Sequence, residues 1–293
     1  MSVETPAEVR TTTSGARTVA WTTYGAPAGK PVVYYHGAGG SRLEAGFFHA
    51  DAAAHGLRVI SIDRPGSGRT DPIPNRTLLR GVIDLVPVLD AEGVEKAVVC
   101  GLSAGAMYAW ASAQAHRERV TSVVAVSPAV NPQPWPDVKA AMPGQMRLMA
   151  FLATRAPGVL AAMQRKQQNA IERPGGQAKY VKTMRKVSPE DAVLLEDEAT
   201  FVRARTVSAE GRRQGQLGGA EFALMAGTWG FDPAGQSVPC TVIYGGGDPL
   251  TPMIRAWLTH APNAKGVEVP GGHLQTAMQS GRDAVIAALK GVA

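Results

Sequence analysis

The segment Gly101-Leu102-Ser103-Ala104-Gly105 holds the residues best suited to covalent chemistry. It follows the apolar, β-branched run Ala97 to Cys100 and opens a helix-forming run from Ala106 to Arg117. A serine between two glycines in that setting reads as a nucleophile elbow. The sharp strand-to-helix turn lifts the hydroxyl outward, and glycines avoid the clash that a Cβ would create. A serine hydroxyl is a weak nucleophile unless a base takes its proton and an oriented acid fixes that base. Two later segments offer such groups. Tyr244-Gly245-Gly246-Gly247-Asp248-Pro249 places a carboxylate just past a strand, and Pro270-Gly271-Gly272-His273 places an imidazole after the last strand. Open α/β sheets gather their catalytic groups at these strand ends. The competing readings are a turn residue before proline for Asp248 and a helix N-cap or loop histidine for His273.

The other histidines fit the base less well. His49, His55 and His116 fall in helical stretches, and His260 follows Asp248 by only twelve residues, inside an expected helix. His36 begins His36-Gly37-Ala38-Gly39-Gly40, directly after the run Val32 to Tyr35. A glycine-rich turn there can aim backbone N–H groups at a developing oxyanion. Ser41-Arg42-Leu43-Glu44 reads as a capping box that starts the next helix, with Arg42 and Glu44 on the surface. Asp63 is expected to serve the turn after its own strand.

These residues need a scaffold, and 293 residues with 45% hydrophobic and 18% charged content suffice for a large core. Short β-branched runs at 31–35, 57–62, 97–100, 120–126, 238–244 and 267–269 alternate with alanine-rich segments. Such alternation predicts an α/β fold with a mostly parallel central sheet flanked by helices. The runs are continuous rather than alternating, as expected for strands covered on both faces. Arg17 to Tyr24 is expected to be an antiparallel edge strand. Cys100 and Cys240 cannot form a disulfide framework or a thiolate metal site and are expected to be buried and reduced.

The strand alternation stops at Ser127-Pro128 and resumes near Trp229 to Asp232. Residues 131–230 are therefore expected to form a helical cap, with 1–130 and 231–293 as the core domain. Fourteen basic and nine acidic residues lie between Asn131 and Gly230, so most of the chain's +6 charge belongs to this insert. With no nucleic-acid motif, that charge reads as a solvated face. Met142, Met146 and Met149 recur at helical spacing, which fits ordinary packing or, more sharply, a lid whose methionines contact substrate. No run is long and apolar enough for a transmembrane helix, and the start MSVETPAEV lacks signal-peptide order, so a cytoplasmic location is expected.

His36-Gly37, Asp63-Arg64-Pro65-Gly66-Ser67-Gly68, Gly101 to Gly105, Gly245 to Asp248 and Gly271-Gly272-His273 appear in this order beside the right strands. As a set they resemble the α/β-hydrolase superfamily over nearly the whole chain except the insert. The order Ser, Asp, His is the one that fold uses. The resemblance implies a triad of Ser103, Asp248 and His273, oxyanion donors from the backbone of Ala38 and Ala104, and a helical cap after the sixth strand. Serine rather than aspartate at 103 departs from haloalkane dehalogenases and epoxide hydrolases. The turn His-Gly-Ala-Gly-Gly matches neither the proline-containing version of small esterases nor the glycine run of hormone-sensitive-lipase-like esterases.

The reaction expected is acyl transfer to water, with Ser103 attacking a small ester or thioester that has an apolar acyl part. No metal and no organic cofactor is called for. A carbon–carbon bond hydrolase or biosynthetic cyclase would use the same triad, and a ligand-binding receptor would use the same cleft. The expected partner is a small-molecule substrate, with no nucleic acid and no membrane span.

Overall fold

The computed structural model describes residues 8–215 and 219–291. Its sheet has eight strands: β1 (Arg10–Ser14), β2 (Arg17–Gly25), β3 (Lys30–Tyr35), β4 (Leu57–Ile62), β5 (Ala97–Leu102), β6 (Val120–Val126), β7 (Cys240–Gly245) and β8 (Ala264–Val269). They lie in the order β1-β2-β4-β3-β5-β6-β7-β8. β1 pairs antiparallel with β2, and β2 antiparallel with β4. The remaining pairings, from β4 across to β8, are parallel.

The continuous apolar runs have the expected cause. Val33, Tyr35 and Val99 join one core cluster, while Val32, Tyr34, Val98 and Cys100 join the cluster on the other face. Side chains alternate across a strand, so a strand covered on both sides needs apolar residues at every position. One face is covered by α2 (Leu85–Ala91), α3 (Ala104–Ala115) and α11 (Thr251–Thr259). The other carries α1 (His49–Ala54) and α13 (Arg282–Lys290). Ten of the twelve residues of α3 are buried, and a helix apolar all round belongs inside. Trp110 on α3 packs against Trp257 and Trp229, with ring centroids 5.1 and 6.2 Å away.

Two strand expectations need correction. Arg17–Gly25 is not the edge, because Arg10–Ser14 forms a hairpin on its outer side. That outer strand, Arg-Thr-Thr-Thr-Ser, is mostly exposed and has no apolar alternation to betray it. β8 also begins earlier than its apolar end suggests, since Ala264 to Val269 forms the opposite edge and exposes Lys265, Gly266 and Glu268.

Among the described residues between β6 and β7 there are seven α-helices and no strand: α4 (Pro136–Ala140), α5 (Gly144–Arg155), α6 (Pro157–Glu172), α7 (Gly176–Val187), α8 (Pro189–Leu194), α9 (Glu198–Gly211) and α10 (Gly219–Ala226). Of these, α8 touches α12 (His273–Met278), α9 the 3-10 turn Arg42–Phe48, and α10 α3. All three partners follow the C-terminal ends of parallel strands, the end of the sheet where Ser103, Asp248 and His273 also lie. Met142 is buried in the main core cluster and Met146 packs against it, whereas Met149 is half-buried on α5. The first two are occupied by packing.

Candidate active site

Ser103 stands between β5 and α3 with φ 54° and ψ −117°, a conformation that L-residues rarely adopt. Its surroundings show why the elbow needs glycines. A Cβ on Gly105 would lie 2.0 Å from the Tyr35 carbonyl oxygen, and one on Gly101 would lie 2.3 Å from the Gly105 carbonyl carbon. The backbone is pinned on both sides, since Ser103 N–H donates to Val126 O at 2.8 Å and Ala129 N–H donates to Ser103 O at 3.1 Å. Strain of this kind persists only where the surroundings over-determine it.

Asp248 and His273 meet as the sequence suggests. The Asp248 Oδ2 to His273 Nδ1 distance is 2.8 Å, and the carboxylate is buried while the imidazole is partly exposed. Asp248 also accepts from Leu250 N–H at 2.8 Å. Burial pushes its carboxyl up, but the imidazole, Leu250 and the Ser127 hydroxyl outweigh burial and hold it below the usual carboxylate range. For His273, burial works to lower the imidazole; Asp248, then Asp191 and Glu44, outweigh it and raise the ring above its ordinary value. An ionised acid thus holds a strengthened base.

Ser127 links this pair to the elbow. Its hydroxyl donates to the His273 carbonyl at 3.1 Å, and it follows directly on Val126, the acceptor of Ser103 N–H. Like Ser103, it has a positive φ, 42°. Two adjacent parallel strands therefore end in serines with positive φ. The Ser127-Pro128 dipeptide marks only the end of a strand, so its second role was not legible.

The glycine-rich turn after β3 is tighter than its glycines suggest. A Cβ on Gly37 would sit 3.8 Å from Ser103 Cβ, so the turn runs beside Ser103. Gly40 N–H donates to Gly37 O at 3.1 Å, Ala38 is exposed, and Ala104 is the first residue of α3. First-turn N–H groups have no partner within their own helix, so Ala104 can direct its N–H outward.

Arg42 and Glu44 correct the surface reading. Glu44 Oε1 accepts from Gly37 N–H at 2.8 Å and from the Tyr34 hydroxyl at 2.9 Å, and burial pushes the carboxyl up. Ser41 makes no side-chain cap; its hydroxyl donates instead to Val207 O on α9. Arg42 is buried between Asp63 and Glu210, at 2.7 Å from each. Asp63 also accepts from the backbone N–H groups of Arg42 and Arg69, as a turn-holding residue should.

His36 is not a base. Its Nε2 accepts from Arg64 N–H at 3.3 Å, which leaves Nδ1 to donate to Gly37 O at 2.9 Å. Burial, with Arg64 beside it, keeps the ring well below its ordinary value and therefore neutral. Arg64 in turn pairs with Glu221 of α10 at 2.7 Å and lies over the Tyr108 ring. His260 caps α11, stacks on Trp135 and binds Asp137 of α4, far along the chain's fold from this chemistry. Burial lifts the thiols of Cys100 and Cys240 to about 12 and about 11, so neither is a ready nucleophile. Surface cavities of about 500 and 360 Å³ lie elsewhere, and neither is lined by Ser103, Asp248 or His273.

The chain resembles known proteins along the same lines. It is 36% identical over 110 residues to a proline iminopeptidase of Neisseria gonorrhoeae, spanning 36% of this chain and 34% of the relative. It is 40% identical over 78 residues to epoxide hydrolase B of Mycobacterium tuberculosis, 26% of this chain and 22% of that protein. These matches cover about a third or less of the curated relatives' length. Two solved structures share the fold across 97% of the chain. They are a hydrolase from Pseudomonas aeruginosa (TM-score 0.67, 20% identity, 98% of that chain) and a thermophilic esterase from Thermogutta terrifontis (TM-score 0.66, 21% identity, 97% of that chain). The family model for the alpha/beta hydrolase fold matches residues 30–276, from the first parallel strand to the helix that carries His273, and the chain belongs to that family.

Proposed function

We propose that the protein is a serine hydrolase that transfers the acyl group of a small ester or thioester to water through Ser103. His273 Nε2 takes the Ser103 proton as the hydroxyl oxygen attacks the carbonyl carbon, and Asp248 holds the resulting imidazolium in place. The N–H groups of Ala38 and Ala104 bind the oxyanion of the tetrahedral intermediate. Collapse expels the leaving alcohol or thiol with the proton from His273. A water molecule, deprotonated by the same imidazole, then attacks the acyl-enzyme; the acid leaves and Ser103 regains its proton.

The observation that carries this reading is the strained Ser103 elbow, tied through Ser127 to a histidine that is paired at 2.8 Å with a buried carboxylate. A serine at this position suits acyl transfer, and the exposed apolar side chains Leu148, Phe151 and Met163 on the helices between β6 and β7 favour an apolar acyl part. The helices between β6 and β7 act as a cap, with Met149 the methionine of the stripe left to meet substrate. The Neisseria relative raises an amide as a second leaving group for the same acyl chemistry. Hydrolysis of p-nitrophenyl butyrate and of proline p-nitroanilide by wild type and Ser103→Ala tests both. Loss of a triad nucleophile should lower turnover on the preferred substrate by about 10⁴ or more. Wild-type-like turnover in the alanine variant would refute the assignment.

A further inference from the structure

His273 opens α12, and the residue before it, Gly272, stands at the N-cap position. A helix N-terminus leaves its first N–H groups without partners, and glycine has no side chain with which to satisfy them. The acceptor comes from another part of the chain. Asp191 on α8 takes the N–H of Leu274 at 2.8 Å and of Gln275 at 3.1 Å on one oxygen, Oδ1. Its other oxygen accepts the Ser188 hydroxyl at 2.8 Å. Asp191 is only 1% exposed, so this is a desolvated carboxylate aimed at the helix that carries the imidazole. Gly272 is shaped for the approach, because a Cβ there would lie 2.7 Å from Asp191 Oδ1 and 2.8 Å from Ser188 Oγ.

We infer that Asp191 is a positioning residue for His273, reaching from the helical insert both to fix the helix that presents the imidazole and to set a negative charge beside that ring. This rests on the serine-hydrolase reading. The contact differs from a cap that merely steadies a helix, because it acts one residue from the base and brings a negative charge to it. The charged groups that His273 faces are Asp248 after β7, Asp191 on α8 and Glu44 in the turn after β3. Two of the three come from outside the acid–base pair, and one of those two belongs to the insert.

Replacing the carboxylate in two ways separates its hydrogen bonds from its charge. Asp191→Asn keeps an oxygen for the two N–H groups and removes the charge. The His273 titration midpoint, read by ring-proton NMR on the full chain, should fall by about one pH unit. The acid limb of kcat/KM should move down by the same amount. Asp191→Ala also removes the acceptor, and kcat of the folded fraction should fall by about 10- to 100-fold with little change in KM. An unchanged His273 midpoint in Asp191→Asn would overturn the inference, even if Asp191→Ala fails to fold. So would full plateau turnover in a folded Asp191→Ala. The NMR midpoint does not depend on turnover. Failure of wild-type Ser103 to be phosphonylated by a fluorophosphonate, with loss of fluoride, would therefore sink the hydrolytic reading, while the midpoint would still decide whether Asp191 governs His273.

Discussion

In the centre of the sheet every residue of β5 is buried, and so are ten of the twelve in α3. In the insert, α5 and α6 together bury only Ala150 and Leu160, and they leave Leu148, Phe151, Val159 and Met163 45–60% exposed. The two regions differ in how much each relies on apolar burial. The sheet gains from apolar area removed from water, about 1.5–3 kcal/mol for each fully buried aliphatic side chain. The insert shares part of that apolar core through Val138, Met142, Met225 and Trp229, and adds a few buried polar contacts: Glu210 to Arg42, Glu221 to Arg64 and Arg76, and Asp191 to the start of α12. Each joins an insert helix to a segment just past a parallel strand. Damage to the sheet should therefore spread through the fold, whereas damage to an anchor should act on the docking of one helix and on the site beneath it.

The sharpest break between chemistry and scaffold is expected at two aspartates. Asp248→Asn should lower turnover by about 10³- to 10⁴-fold, because the amide favours the wrong imidazole tautomer, with only a small change in melting temperature. Asp63→Asn, which disturbs a turn held by Arg42 and Arg69, should act mainly on stability and leave the folded fraction active. Turnover measured beside thermal melting checks both.

The anchors come next in size. Glu221→Ala strips the partner from Arg64 and Arg76, which are 1% and 9% exposed in their side chains. Breaking a buried ion pair from one side costs about 3–5 kcal/mol, so urea unfolding should show a loss of that order. The exposed pair Arg185–Glu196 within the insert, 62% and 44% exposed, should behave differently, and Arg185→Ala should cost less than about 1 kcal/mol. Equal losses at the two sites would erase the distinction between docking contacts and surface charge.

A smaller effect is expected in the pH dependence of stability. His273 is raised when folded, so its contribution is complete below its ordinary value of 6.5 and is lost as pH rises through the raised value. Asp248 is depressed, so its contribution is complete above 3.8 and is lost as pH falls through the lowered value. Asp248→Asn should therefore differ most from wild type in melting temperature between pH 3.8 and 6.5, with the gap narrowing on either side. For catalysis the base must be neutral, so the wild-type acid limb of kcat/KM should lie above 6.5, and the asparagine variant should move it down.

The parallel strands, the elbow and the Asp248–His273 pair were legible because each follows a local rule: a β-branched run, a glycine-flanked serine, a carboxylate or imidazole just past a strand. What was not legible depends on pairs distant in sequence. Glu44 reads as a capping residue because Ser41 stands three positions before it, yet its partners are Tyr34 and Gly37. Ser188-Pro189-Glu190-Asp191 likewise has the look of a helix starting and capping itself, and Ser188 does bind Asp191. Its second role, 83 positions away at Leu274, leaves no local trace. The methionine spacing suggested one helical stripe, yet Met142 precedes α5 and is buried in the core, and only Met146 and Met149 share that helix.

The central claim is that Ser103 is activated by the groups around it, and one measurement reaches it without knowledge of the substrate. Wild-type protein, treated with a fluorophosphonate probe and digested, is mapped by mass spectrometry beside Asp248→Asn and Ser103→Ala. The account predicts a single adduct on Ser103, formed far more slowly in Asp248→Asn and absent from Ser103→Ala. An adduct at another residue, or labelling of Ser103 at an unchanged rate in Asp248→Asn, would contradict it.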